Sequence, residues 1–165
     1  MPTFVRANDY SNPLYIGSKF RKKRFQFFES RIRHFQEKPL RILDLGGTVD
    51  FWVNENYHNR YGIMITILNT EAETSDYFNI RTVRGDACDL SMFETDQFDV
   101  TFSNSLIEHL TTPVNQLRMS LEAIRVGRYH FIQTPNLYFP IEPHFKFPFF
   151  QFLPASVKLF LMTRT

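Results

Sequence analysis

The sequence lacks several features that would assign it to a specialised class of protein. Its 165 residues include one cysteine, Cys88, so an internal disulfide is impossible and nothing requires an oxidising compartment. No run of about 18 apolar residues is present, as a membrane-spanning helix would need. No apolar leader segment follows the first residues. We therefore expect a cytoplasmic protein.

Neither sign of charge dominates. Nineteen basic and 17 acidic residues give a net charge of +2, which by itself does not argue for nucleic acid or a membrane as partner. The five histidines show no metal-ligand spacing, and a single cysteine rules out a paired-cysteine zinc site, so we expect no metal. Hydrophobic and charged fractions of 43% and 22% are those of an ordinary globular domain.

Phenylalanine is in excess, with 19 residues against one tryptophan and seven tyrosines. Between Gly17 and Phe35, an N-terminal helix is predicted by apolar residues near the spacing of one helix face, among many lysines and arginines: Phe20, Phe27, Phe28, Ile32 and Phe35. Other phenylalanines belong to a proline-rich and phenylalanine-rich stretch over 136–165. There they would either line an apolar pocket or form core that covers the rest of the domain.

Five short apolar runs predict strands: Leu40–Leu45, Ile63–Leu68, Ile80–Val83, Phe98–Phe102 and Arg128–Gln133. Continuous runs, without alternation, suit strands that are buried on both faces. Segments such as Ser105–His109 and Val114–Arg125 between them could be helical. Alternation of strands and helices, with glycines at strand ends, predicts an α/β fold built on a doubly wound parallel sheet.

Glycines and polar residues follow the ends of these strands, in the order Asp44, Gly46, Gly47, Thr48, Asn69, Glu71, Asp86, Ala87, Asn104, Glu108 and His109. The carboxyl ends of parallel strands share one edge, where ligands bind. Glycines there let a ligand approach the backbone. The alternatives are an ordinary tight turn for the glycines, and helix or turn caps for Asn69 and Asp89.

A nicotinamide dinucleotide does not suit the first of these loops. Its fingerprint needs G-x-G-x-x-G, whereas Gly46 and Gly47 are followed by Thr48, Val49 and Asp50. The carboxylate of Asp50 would also stand near a pyrophosphate and repel it.

Taken together in this order and spacing, the motifs over about residues 40–135 resemble the class I S-adenosylmethionine-dependent methyltransferases with a methyltransferase-11-like domain. The resemblance implies a Rossmann-like fold and S-adenosylmethionine as cofactor. Two positions depart from the family pattern. The usual third glycine is Val49 or Asp50, and the usual acidic residue after the second strand is Asn69.

The resemblance also implies roles for the residues at the strand ends. Asp44 and the loop Gly46–Thr48 would lie against the methionine part of the cofactor. Asn69, with Glu71 as the fallback, would hold the ribose. The remaining contacts would be Asp86 to the adenine amine, the Ala87 backbone to the adenine ring, and the Asn104 backbone to the methionyl end.

The activity implied is in-line methyl transfer to an unidentified small-molecule acceptor, in which the protein mainly aligns the two reactants. If the acceptor must lose a proton, the candidate bases are His109, His144 and Glu108. The alternative is a non-catalytic module that keeps the fold. We expect no nucleic-acid substrate, because Ser103-Asn104-Ser105-Leu106 lacks the Asn/Asp-Pro-Pro-Tyr/Phe motif.

We expect a single domain with an N-terminal lid helix region (1–39), a cofactor-binding core (40–135) and a phenylalanine-rich C-terminal segment (136–165). The basic residues of the lid helix either face solvent or attract an anionic acceptor or a membrane surface. The family fold adds a C-terminal antiparallel hairpin after the fifth strand. We expect this hairpin to be missing, so that the chain is truncated. The sequence leaves the oligomeric state open.

Overall fold

The computed structural model of the chain describes residues 16–35, 39–71, 73–136, 152–154 and 156–157. The chain divides into two compact units, Met1–Lys38 and Pro39–Thr165.

The first unit contains helix α1, Ile16–Ile32. This confirms the predicted N-terminal helix, although it begins one residue earlier and ends three residues earlier than expected. Phe25, Phe28 and Ile32 are buried, at the i, i+3, i+7 spacing of one helix face. Phe27 was expected on that face and is instead exposed, with the Arg31 guanidinium 4.8 Å from the centre of its ring.

The second unit contains a five-stranded parallel sheet with the strand order β3-β2-β1-β4-β5. Its strands are β1 (Leu40–Leu45), β2 (Ile63–Asn69), β3 (Ile80–Arg84), β4 (Phe98–Asn104) and β5 (Gly127–Gln133). All five predicted strands are confirmed to within two residues. The winding direction reverses between β1 and β4, which is the arrangement of a doubly wound Rossmann-like sheet. Among the residues described, every strand pairing in this sheet is parallel.

Two helices connect these strands. Helix α2 (Val49–Asn54) follows β1 and was not predicted, and its first turn is capped by the Thr48 hydroxyl, which accepts from the Phe51 N–H at 3.3 Å. Helix α3 (Pro113–Val126) joins β4 to β5, as expected. The predicted helical segment at Ser105–His109 forms only a 3₁₀ turn, Ile107–His109.

Helix α3 has two contrasting faces. Met119, Ala123 and Val126 are fully buried in a cluster with strand residues such as Leu43 and Leu45. On the other side, its exposed apolar side chains are Val114, Leu117, Leu121 and Ile124. The stability of the sheet therefore depends on one face of α3.

Met119→Ala should lower the free energy of unfolding by about 3 kcal/mol, because it opens a cavity in a fully buried cluster. Leu117→Ala is the matched control in the same helix, since 59% of that side chain is exposed. It should cost less than about 0.5 kcal/mol. Urea unfolding measures both values, and equal losses would contradict the assignment of the two faces.

Candidate functional site

Asp44, near the carboxyl end of β1, is a completely buried carboxyl group. Its Oδ2 accepts a hydrogen bond from the indole Nε1 of Trp52 at 2.7 Å. Its Oδ1 is buried and has no hydrogen-bond partner among the described residues. A buried oxygen without a donor is costly, so it marks a place where a ligand group can supply one.

The environment of Asp44 controls its ionisation. Burial raises the pKa of Asp44 from 3.8 to about 7, and the hydrogen bond from Trp52 opposes this rise. At neutral pH the carboxyl group is therefore close to the midpoint of its titration. A cationic ligand group beside Oδ1 would favour the ionised form.

The two glycines after β1 are required by the packing of the protein itself. Gly46 has a φ of +78°, and a Cβ added there would lie 2.8 Å from the Leu106 Cδ1 atom. A Cβ at Gly47 would lie 1.8 Å from Asp44 Oδ2. The sequence suggested either that the glycines make room for a ligand or that they form an ordinary tight turn. Substitution at either position would disturb the fold as well, which makes a bulky residue at Gly46 an unsuitable test of ligand binding.

Asn69 connects the end of β2 to the glycine loop. Its side-chain Nδ2 donates to the Gly47 backbone carbonyl at 3.0 Å, and its backbone carbonyl accepts from the Gly85 N–H at 2.9 Å. The loops that follow β1, β2 and β3 are thereby joined at one edge of the sheet.

A shallow pocket lies beside Asn69. It is lined by Gly47, Ile67, Asn69, Glu71, Glu73 and Thr82, so it brings together three of the predicted site residues. Glu73 was not predicted. Its carboxylate accepts from the Val49 N–H at 3.0 Å, and its carbonyl accepts from the Thr82 hydroxyl. No local pattern identifies Glu73, because its partner in α2 is 24 residues away.

After β3, two aspartates form adjoining turns. Asp86 is exposed, and its Oδ1 accepts from the Cys88 N–H at 2.8 Å, while Ala87 between them is buried. Asp89 is also exposed and accepts from the Ser91 N–H at 3.1 Å, and hydrogen bonds from Ser91 lower the pKa of Asp89. Both side chains thus cap turns.

The end of β4 is joined to its neighbours on both sides. The Ser103 hydroxyl donates to the Leu45 carbonyl at 3.1 Å. Asn104 Oδ1 accepts from the Gln133 side chain, and the Ser105 N–H donates to the Gln133 carbonyl at 3.0 Å. Ser105 has a φ of +63°, so the chain turns sharply here.

The candidate bases follow this turn. Glu108 lies in the 3₁₀ turn and accepts from the Thr134 hydroxyl at 3.1 Å, and His109 beside it is exposed. His144 lies outside the described residues. Within the described ranges, no three His, Cys, Asp or Glu residues are grouped so that they could hold a metal ion. Over those same ranges, no helix has the length and apolarity to span a membrane.

Comparison with known proteins finds similarities over parts of the chain. Residues 56–130 match the family model described as "Methyltransferase domain". The uncharacterized protein Rv1509 of Mycobacterium tuberculosis is 42% identical over 55 residues, which make up 33% of this chain and 18% of that protein. The aligned part thus spans less than a fifth of the relative's length.

The chain is also similar to two solved structures. A SAM-dependent methyltransferase from Aquifex aeolicus has 12% identity and a TM-score of 0.52, over 98% of this chain and 87% of that one. Phosphoethanolamine N-methyltransferase 2 of Haemonchus contortus, in complex with S-adenosyl-L-methionine, has 15% identity and a TM-score of 0.47, over 98% and 40%. Residues 56–130 are thus similar to a methyltransferase domain, in line with the resemblance of the motifs, and the chain shares its fold with the Aquifex aeolicus structure.

The pKa of Asp44 predicts a dependence of stability on pH. The folded-state pKa of about 7 lies above the unfolded value of 3.8, so between these values only the folded protein keeps the proton. Stability should therefore fall as the pH rises from about 4 to about 7, by no more than ~4 kcal/mol, and then stay level.

Asp44→Asn should remove this contribution, because an amide does not titrate and its oxygen still accepts from Trp52. Urea unfolding of both proteins without ligand, from pH 4.5 to 8, gives the difference in stability as a function of pH. The free energy of unfolding of the variant, relative to that of the wild type, should increase as the pH rises. Two parallel curves would show that Asp44 is already ionised across this range.

Proposed function

We propose that the chain binds S-adenosylmethionine at the carboxyl edge of the sheet and transfers its methyl group to a small-molecule acceptor. The observation that carries the proposal is the buried, unpartnered Oδ1 of Asp44 beside the Gly46–Gly47 loop. A sheet edge at the reversal of winding is where ligands of doubly wound folds bind.

The chemical groups at this edge fit the parts of the cofactor. Asp44 and the loop Gly46–Thr48 are assigned to the methionyl end, together with the backbone at Asn104. Asn69 and Glu71 are assigned to the ribose hydroxyls. The Asn69 amide already donates to Gly47, and its oxygen accepts from the Thr70 hydroxyl at 3.4 Å. The exposed Glu71 carboxylate is therefore the main acceptor for a diol, with the Asn69 oxygen beside it.

The adenine is assigned to the turn after β3. Cys88 occupies one oxygen of Asp86, and this bond orients the carboxylate so that the other oxygen can accept from an exocyclic amine. The Ala87 backbone is assigned to the ring edge. These assignments place the cofactor across the ends of β1 to β4.

Bound S-adenosylmethionine supplies a methyl group on a sulfonium, which leaves as a neutral thioether when a lone pair of the acceptor attacks the methyl carbon. The task of the protein is to align the acceptor and to exclude water. Where the acceptor must also lose a proton, Glu108 and His109 lie on the turn after β4, and His144 is kept as a third candidate. We also propose that α1 acts as a lid and that the protein is cytoplasmic.

A second candidate function is a module that binds the cofactor without transferring the methyl group. One observation favours it. The match to the family model begins at residue 56, so the first loop, which departs from the family pattern, lies outside the match. Saturable binding of S-adenosylmethionine, without formation of S-adenosylhomocysteine in a metabolite extract, would support the module.

Asp86→Asn gives a direct test of the adenine assignment. The amide oxygen can still accept from Cys88, but the charge on the other oxygen is lost, so affinity for S-adenosylhomocysteine should fall about tenfold. Asp89→Asn is the matched control, because it makes the same change in the adjoining turn. Its affinity should stay within about twofold of the wild type.

Isothermal titration calorimetry measures these affinities. The absence of any binding of S-adenosylmethionine or S-adenosylhomocysteine to the wild type would overturn the proposed function. An equal loss in the two aspartate variants would overturn the assignment of Asp86 alone.

A further inference from the structure

Trp52 is the single tryptophan of the chain, and its indole ring is completely buried. It lies in α2, one turn after the glycine loop, and its single N–H donates to Asp44. The rings of Phe51, Phe102 and Tyr57 pack against it at centroid distances of 5.3 to 5.4 Å. The position of the indole N–H is therefore fixed by packing.

Because of this contact, the two oxygens of the Asp44 carboxyl have different surroundings. Oδ2 accepts from Trp52 and lies 1.8 Å from where a Cβ of Gly47 would stand, so it is enclosed by the indole and the glycine loop. Oδ1 has no donor among the described residues. Oδ1 is therefore the oxygen that remains for a ligand group, and the bond from Trp52 fixes where it lies.

We infer that Trp52 is a positioning residue for the cofactor: its indole N–H holds Asp44 so that Oδ1 receives the α-ammonium group of the methionyl end. This inference rests on the proposed function. The chemistry of the pair agrees with it, because a donor to one carboxylate oxygen favours the charged form that a cation needs. Without the indole N–H, a fully buried carboxyl would have no donor and would favour its neutral form.

The alternative is that Trp52 only fills the core. A core role would weaken every ligand of the site alike, whereas a positioning role affects only ligands that carry the ammonium. S-adenosylhomocysteine and 5′-methylthioadenosine distinguish the two roles, because they share the nucleoside and the thioether, and only the former has the amino-acid group.

Trp52→Phe should lower the affinity for S-adenosylhomocysteine about tenfold and keep the affinity for 5′-methylthioadenosine within about twofold of the wild-type value, as measured by calorimetry. Asp44→Asn should give the same selective loss, and the double variant should lose little more, because both changes remove one interaction. Phe102→Leu is the control. It loosens the same aromatic cluster but keeps the indole N–H, so it should not discriminate between the ligands.

Equal weakening of both ligands by Trp52→Phe would overturn the inference and leave the proposed function intact. Failure of the wild type to bind either ligand would overturn both. If Trp52→Phe does not fold, the fluorescence of the wild type decides, since all indole emission comes from Trp52. Emission should change with S-adenosylhomocysteine and not with 5′-methylthioadenosine, and an identical change with both would refute the positioning role.

Discussion

The buried hydrogen bond between Trp52 and Asp44 constrains the whole of the first loop. A carboxyl group that is entirely removed from water needs donors, and the indole provides one at 2.7 Å. The carboxyl then fills the volume in which a side chain at position 47 would stand, so only glycine is accommodated there. Because the donor belongs to α2, the strand, the loop and the helix after it must keep one arrangement.

The same edge of the sheet is held by hydrogen bonds between neighbouring loops. Ser103 bonds the carbonyl of Leu45, and Asn69 bonds that of Gly47, so the end of β1 is fixed from both sides. A second set joins Asn104 and Ser105 to Gln133 on β5. Polar residues at strand ends therefore have a structural role that is compatible with ligand binding, since a preorganised site loses less entropy when it is filled.

Much of this fold was predictable from the sequence, and the failures have physical reasons. Continuous apolar runs identified β1, β2 and β4 because these central strands are mostly buried, whereas the edge strands β3 and β5 are largely exposed and were found from weaker runs. Helix α2 was missed because its six residues, VDFWVN, are too few to show a period. The predicted site residues Gly47, Asn69 and Glu71 do line one pocket. The bonds of Trp52 and Glu73 were not predictable, because they depend on three-dimensional packing that no local motif encodes.

The departure of the first loop from the family pattern is related to α2. The helix begins at Val49, one of the two positions at which the family pattern that the sequence resembles implies a further glycine, and the N–H of Val49 donates to the Glu73 carboxylate. That backbone donor is therefore occupied within the protein. On the proposed binding mode, recognition of the methionyl end passes from the backbone of the loop to the side chain of Asp44. A loop that starts a helix early can then keep the function, provided that a residue of that helix holds the carboxyl in place, and Trp52 meets this requirement.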